Sequence, residues 1–138
     1  MKPEALIEYA KLAQKSSYSP YSHFAVGAAL LTKSGKVYTG CNIENAAFSP
    51  TCCAERTAFF KAVSEGERDF AAIAIVGGKN GDSSELCAPC GVCRQVMREF
   101  CDPQTFMLYF NDKGNIVTMT LAEILPLGFG PSNLKSGT

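Results

Sequence analysis

Two short cysteine motifs constrain this chain more than any other feature of its sequence. The first is C-A-E at residues 53–55, and the second is P-C-G-V-C at residues 89–93. Each precedes a stretch with helical periodicity, so a shared site requires the starts of two helices to meet. Three thiolates on a tetrahedral Zn²⁺ leave the fourth position open, as in catalytic zinc sites. The sequence therefore predicts one zinc ion per subunit, bound by Cys53, Cys90 and Cys93.

Other uses of these thiols remain open at this stage. A C-x-x-C pair alone also fits a redox dithiol, half of a zinc ribbon or two buried thiols. Cys87 could complete a closed four-thiolate structural site, but Glu55 would then be repelled by the more negative centre. Cys52 could replace Cys53 as the first ligand. The C-x-E spacing favours Cys53, and we expect Cys52 to point into the core.

The residues beside Cys53 supply a base and a cation. Glu55 follows the first ligand by two residues, which suits a general base that takes a proton from water at the metal. Three thiolates leave Zn²⁺ with a net charge of −1, so a compensating cation is expected. Arg56 is placed to donate hydrogen bonds to the cysteine sulfur atoms.

The amino-acid composition limits which class of protein this chain can be and in which compartment we expect it. The chain has 138 residues with 46% hydrophobic residues, which predicts one globular domain over residues 1–138. Thirteen basic and thirteen acidic residues balance, which argues against nucleic acid as the partner. No apolar run is long enough to span a membrane. Seven cysteines, an odd number with several of them clustered, indicate a reducing cytoplasm and metal binding rather than disulfides.

Periodicity predicts an α/β fold. Small residues at 54, 58 and 62 repeat every four positions, which lets a helix approach a sheet closely. Two βα units in the middle of the chain imply parallel central strands, with a hairpin at each edge. We therefore expect a three-layer α/β/α sandwich with a mixed five-stranded sheet. The predicted strands are 24–32, 37–41, 70–76, 105–110 and 116–120, and the predicted helices are 3–16, 50–64, 90–100 and 121–124, with a polar loop at 77–85.

Four sequence blocks resemble the small, homotetrameric cytidine deaminases whose zinc site has three cysteines, within the cytidine and deoxycytidylate deaminase superfamily. They are residues 19–30, 40–45, 53–56 and 89–95. The resemblance implies the cytidine deaminase-like fold and a zinc-dependent hydrolase. It further implies a homotetramer with sites at the subunit interfaces and a free nucleoside as substrate.

The same resemblance implies roles for individual residues. Phe24 would pack against the pyrimidine ring, while Asn42 and Glu44 would bind the ribose 3′-hydroxyl. The backbone N–H of Ala54 would hold the ring carbonyl. Phe129 would reach into the site of a neighbouring subunit. A departure from many relatives is that phenylalanine stands at position 48, where tyrosine is expected.

The expected reaction is hydrolytic deamination of cytidine and 2′-deoxycytidine to uridine and 2′-deoxyuridine, with release of ammonia, as in pyrimidine salvage. Three alternatives stay open. The first is a deaminase of another aminopyrimidine nucleoside, such as a nucleoside antibiotic. The second is a nucleic-acid-editing deaminase, and the third is a zinc-binding interaction module without catalysis.

Overall fold

The computed structural model describes residues 1–135, and its helices and strands follow the predicted order with one added helix near the end. None of the helices in this range is both long enough and apolar enough to cross a membrane. The elements are α1 Pro3–Gln14, β1 Phe24–Thr32, β2 Val37–Cys41, α2 Ala54–Ser64, β3 Phe70–Lys79, α3 Gly91–Phe100, β4 Met107–Asp112, β5 Asn115–Thr120, α4 Leu121–Ile124 and α5 Pro131–Leu134.

The five strands form one mixed sheet in the order β2-β1-β3-β4-β5. The β3 and β4 strands are parallel, and α3 forms the crossover between them. The other neighbouring strands are antiparallel, and hairpins form both edges of the sheet. The predicted mixed five-stranded sheet is therefore confirmed, with a single parallel pair at its centre.

Apolar side chains cover the sheet on both faces. One face packs against α1 through Leu6, Ile7 and Ala10. The opposite face packs against α2 and α3, where Phe59 and Met97 are fully buried. Since helices lie on both sides of the sheet, the structure has the predicted three layers. The layer formed by α2 and α3 carries both cysteine motifs.

The first turn of α2 lies unusually close to β2, and small residues make this possible. Ala54, Ala58 and Ala62 are completely buried, as their spacing predicts. Gly40 of β2 faces this turn. A Cβ atom at Gly40 would lie 2.4 Å from the carbonyl oxygen of Ala54 and 2.6 Å from the amide nitrogen of Ala58. The absence of a side chain at Gly40 therefore sets the depth at which Cys53 is held.

A Gly40→Ala protein is expected to lose about 1–3 kcal/mol of unfolding free energy, because the added methyl group meets backbone atoms that cannot move aside. Urea denaturation measures the loss. Gly91→Ala is the matched control, since a Cβ atom there would meet nothing within 4 Å. Equal stability of the Gly40→Ala and Gly91→Ala proteins would contradict the close packing of α2 on β2.

The helix predicted from residue 50 begins instead at Ala54. Residues before it are held in an extended path by a bridge in which Ile43 and Cys52 exchange backbone hydrogen bonds. Cys53 is then the N-cap residue, with an extended backbone. A contact between distant segments of the chain thus decides where the helix starts, and it places the first thiol at the helix end.

Other boundaries shift for similar reasons. The β3 strand continues to Lys79, because Gly77 and Gly78 pair with β1 where the sequence predicts a loop. Gly77 is packed closely, and a Cβ atom there would lie 2.8 Å from the Sγ atom of Cys87. The α3 helix begins at Gly91 with Cys90 as its N-cap residue, and β4 begins at Met107.

Candidate metal centre and adjoining cavity

The three predicted zinc ligands converge where α2 and α3 begin. The Sγ atom of Cys90 lies 3.7 Å from that of Cys53 and 3.6 Å from that of Cys93. Within residues 1–135, these three form the one group of potential ligands whose donor atoms all lie within 4.8 Å of one another. Tetrahedral zinc with Zn–S bonds of about 2.3 Å requires sulfur atoms about 3.8 Å apart. The cluster therefore fits a single Zn²⁺ ion with one open position.

The two rival thiols do not belong to this cluster. Cys52 is partly buried and lines the adjoining cavity, and the hydroxyl of Thr57 lies 3.6 Å from its Sγ atom. The expectation that Cys52 points into the core is therefore wrong, because its backbone bonds to Ile43 hold it in the extended segment before α2, beside the cavity and outside the core clusters. Cys87 packs against Gly77, and burial raises the pKa of its thiol to about 11. The Sγ atom of Cys87 lies outside the group formed by Cys53, Cys90 and Cys93, which does not support the closed four-thiolate site.

Hydrogen bonds to its sulfur atom make the thiol of Cys53 more acidic than an ordinary cysteine, with a pKa below its usual value. The hydrogen bond from Cys93, followed by that from Arg56, lowers the pKa of Cys53 to about 5. The pKa of Cys93 is raised because it shares this bond. Arg56 donates from Nη2 to the Sγ atom of Cys53 at 3.3 Å. The cation thus lies where the sequence predicts it and stabilises the charge that a metal ligand must carry.

Glu55 lies in the first turn of α2, and its side chain is only 4% exposed. Burial, with a smaller contribution from the charge on Cys53, raises the pKa of its carboxyl to about 7. A carboxyl group that exchanges its proton near neutral pH can act as both acceptor and donor within one reaction cycle. The location of Glu55 two residues from Cys53 brings this group to the thiol cluster.

A cavity of about 350 Å³ opens beside the thiols. Its size lies at the lower end of the range for small-molecule sites. It gathers residues from both cysteine motifs, from the start of β1 and from the loop after β2. The lining residues are Ser22, Phe24, Val26, Asn42, Glu44, Thr51, Cys52, Cys53, Ala54, Glu55, Cys87, Ala88 and Cys90.

The side chain of Asn42 is largely occupied within the chain. Its Oδ1 atom accepts hydrogen bonds from the amide of Val26 at 2.9 Å and from the hydroxyl of Ser17. Its Nδ2 atom donates to the carbonyl oxygen of Phe24 at 2.7 Å. An amide group has two N–H donors, so one N–H of Asn42 remains for a ligand. Asn42 therefore also holds the backbone around Phe24 in place.

Glu44 is held by the loop that precedes β1. Its Oε1 atom accepts hydrogen bonds from the amides of Tyr21 and Ser22 at 3.0 and 3.1 Å, and Oε2 accepts one from the hydroxyl of Ser22. These bonds, led by that from the Ser22 hydroxyl, hold the pKa of the Glu44 carboxyl below its usual value. A carboxylate offers about four acceptor positions, so about one is left for a ligand.

The structure brings most of the predicted site residues together, but it leaves Phe129 apart. Phe24 and Ala54 line the cavity, whereas Phe129 does not. Phe129 is 58% exposed, and its carbonyl oxygen accepts a hydrogen bond from Gln95 at 2.8 Å. The sequence alone did not single out Ser22, which also lines the cavity and whose only signal is its place within the block of residues 19–30.

Comparisons with known proteins give a consistent result. Residues 1–109 match the family model described as the cytidine and deoxycytidylate deaminase zinc-binding region. Proteins named cytidine deaminase from Sporosarcina psychrophila and Halalkalibacterium halodurans are 51% and 50% identical over 135 residues. Each alignment covers 98% of this chain, with 96% and 99% of the respective relative. The crystal structure of cytidine deaminase from Burkholderia pseudomallei is 46% identical, with a TM-score of 0.85, covering 94% of this chain and 100% of that one.

Proposed function

The chain belongs to the cytidine and deoxycytidylate deaminase family, and we propose that it hydrolyses cytidine and 2′-deoxycytidine to uridine and 2′-deoxyuridine with release of ammonia. The observation that carries the proposal is the meeting of three thiols spaced for zinc with a buried carboxyl at one cavity. The two full-length relatives at about half identity carry the name of this activity.

Cys53, Cys90 and Cys93 hold the zinc ion. When bound, zinc supplies a Lewis acid that makes the attacking water more acidic at neutral pH. The chain contributes the helix starts that present the thiols and the Arg56 side chain that offsets their charge. Three anionic ligands by themselves would oppose the loss of a proton from water, and the charge of Arg56 reduces this effect.

Glu55 moves the protons of the reaction. Its carboxylate accepts a proton from the attacking water and donates it to the ring nitrogen N3. It then transfers the second proton of the water to the amino group on ring carbon C4. The bond between C4 and this nitrogen breaks, ammonia leaves, and the oxygen of the water becomes the new C4 carbonyl. A pKa of about 7 lets one carboxyl group perform both transfers, because neither protonation state is far from neutral pH.

Cavity residues recognise the nucleoside. Phe24 packs against the pyrimidine ring, and the N–H of Ala54, at the start of α2, donates to the ring carbonyl. Asn42 has one N–H left and Glu44 has about one acceptor position left, so together they can bind one hydroxyl group as both its donor and its acceptor. The 3′-hydroxyl of the sugar meets this requirement, and it is present in ribose and deoxyribose alike.

We propose a homotetramer as the assembly, with sites at the subunit interfaces. Support comes from exposed apolar side chains near the cavity and along the C-terminal segment, since large apolar patches on a surface indicate contacts with other chains. These side chains are Tyr18, Tyr21, Phe48, Leu127 and Phe129. In such an assembly Phe129 reaches the site of a neighbour. The seven free cysteines support the cytoplasm as the compartment.

A combined metal and activity measurement tests the function. The purified protein is expected to contain about one zinc per chain and to convert cytidine, as followed by the change in ultraviolet absorbance. Cytosine and a nucleoside antibiotic that contains an aminopyrimidine base serve as alternative substrates. Zinc without turnover of any of them would favour an interaction module, while faster turnover of the antibiotic would assign the chain to another nucleoside.

A Glu44→Gln protein is expected to show a roughly 10- to 100-fold higher KM for cytidine with a smaller change in kcat, because a hydrogen bond to a charged acceptor is lost from both the bound substrate and the transition state. Steady-state kinetics measure both constants. Cytosine lacks the sugar, so any turnover of cytosine serves as the internal control and should be the same in the Glu44→Gln protein and the unaltered chain. An equal loss with cytosine would show that Glu44 acts on the ring instead.

A further inference from the structure

The three thiols of the cluster are not held equally well by their surroundings. Cys93 is 1% exposed and lies in the core. Cys53 is partly buried and receives a hydrogen bond from Arg56 on its sulfur atom. Cys90, by contrast, is exposed and forms the N-cap of α3 without a side-chain capping bond. Burial therefore orients Cys93, and the bond from Arg56 orients Cys53, whereas the direction of Cys90 depends on the backbone of the turn that carries it.

Arg94 holds this turn from the next turn of α3. Its Nε atom donates to the carbonyl oxygen of Pro89 at 2.8 Å, directly before Cys90. Its Nη1 atom donates to the carbonyl oxygen of Ile124, at the end of α4, at 2.6 Å. The guanidinium group thus links the buried residue before the exposed ligand to a second, separate element of the fold.

Arg94 lies near the amino-terminal end of α3, where its positive charge is electrostatically unfavourable, so its hydrogen bonds must offset this cost. The amino-terminal turns of a helix repel positive charge, because their N–H groups carry partial positive charge. Two short bonds to carbonyl oxygen atoms compensate for this, and the planar fork of arginine makes both bonds at a fixed angle. With the Pro89 carbonyl held, the peptide plane that leads into Cys90 cannot rotate freely. This restricts the direction of the Cα–Cβ bond of Cys90, from which its sulfur atom reaches the cluster.

We propose that Arg94 is a positioning residue for the metal centre, which orients the exposed ligand Cys90 by holding the Pro89 carbonyl against the end of α4. The proposal rests on the proposed zinc site. Hydrogen-bond partners that orient a metal ligand typically change metal affinity by about 10- to 100-fold when they are removed. Arg94 acts through backbone, so it needs no contact with substrate.

Zinc affinity of purified variants, measured by competition with a chromophoric chelator, tests the proposal. Arg94→Met is expected to bind zinc about 10- to 100-fold more weakly than the unaltered chain. A lysine at position 94 can make one of the two bonds. The zinc affinity of Arg94→Lys is therefore expected to lie between those of Arg94→Met and the unaltered chain. Arg98→Met is the matched control, because Arg98 lies one turn further along α3 and donates to the hydroxyl of Ser132, away from the Cys90 turn. Its zinc affinity is expected to be unchanged.

Unfolding midpoints with and without zinc separate positioning from a purely structural role. A ligand stabilises the folded state according to its affinity, so weaker binding reduces the rise in midpoint on adding zinc. Arg94→Met is expected to show a smaller rise, and its cobalt-substituted form should show shifted absorption bands. If Arg94→Met lowers the unfolding midpoint equally with and without zinc, and its zinc affinity is unchanged, the proposal is overturned. Arg94 would then serve only as an anchor for α4.

Failure of the zinc site itself would look different. In that case the unaltered chain and the Arg98→Met protein would both lack stoichiometric zinc, and the proposed function and the role of Arg94 would fall together. If Arg94→Met does not fold, Arg94→Lys and Arg94→Gln take its place in both measurements. Full zinc affinity in these two variants would overturn the proposal.

Discussion

A Glu55→Gln protein is expected to lose about 10²- to 10⁴-fold in kcat while keeping about one zinc per chain. Glutamine has nearly the same shape as glutamate, but its amide cannot accept the proton of the attacking water. Glu55 lies outside the group of three thiols, so the metal should stay bound. Release of ammonia from cytidine measures the rate, and metal analysis of the same sample measures the zinc.

The control for this variant is Glu65→Gln, at the exposed far end of α2, which should retain full activity. Near wild-type turnover by a zinc-loaded Glu55→Gln protein would contradict the proposed route of the protons.

Burial of the Glu55 carboxyl group also has a measurable effect on the pH dependence of stability in the metal-free protein. Because the folded-state pKa of Glu55 is raised from 4.5 to about 7, the folded state binds more protons across that window. Stability should therefore fall as pH rises through it, and Glu55→Gln should weaken this dependence.

A Cys53→Ala protein is expected to lose zinc and activity together, whereas Cys52→Ala is expected to keep both. Removing a partner that merely orients a ligand weakens metal binding by about 10- to 100-fold, so removing a ligand should weaken it by more than that. The two thiols are adjacent in the chain, yet only Cys53 has its Sγ atom in the cluster. Zinc content after gel filtration and the cytidine assay provide the comparison.

A third variant completes this series. Cys87→Ala removes the thiol that a closed four-thiolate site would need, and it is expected to retain zinc because Cys87 lies outside the cluster. Its cavity loses one lining thiol, so a modest change in KM is compatible with the site described above. Loss of zinc from Cys87→Ala, or retention of zinc by Cys53→Ala, would reassign the ligands.

Much of the fold was predictable because it depends on local patterns. All five strands were predicted from the sequence, and the four-residue spacing of Ala54, Ala58 and Ala62 predicted the close approach of α2 to the sheet. The start of α2 was not predictable in this way. It depends on the pairing of Cys52 with Ile43, a contact between segments that local propensity does not describe. The same applies to Gly77, which extends β3 because it pairs with Val26.

The sequence by itself determined the chemistry that is available: three thiols and a carboxyl at two helix starts, with arginine at position 56 beside them. Tertiary structure alone decided how these groups behave. It brought the sulfur atom of Cys53, and not that of Cys52 or Cys87, together with those of Cys90 and Cys93, because this convergence depends on where α2 and α3 lie on the sheet. It set the acidity of Glu55 by burying it, since desolvation is a property of the surroundings and not of the residue. Only the folded chain also shows that Arg94 donates hydrogen bonds to the carbonyl oxygens of both Pro89 and Ile124, because these residues are distant in the sequence.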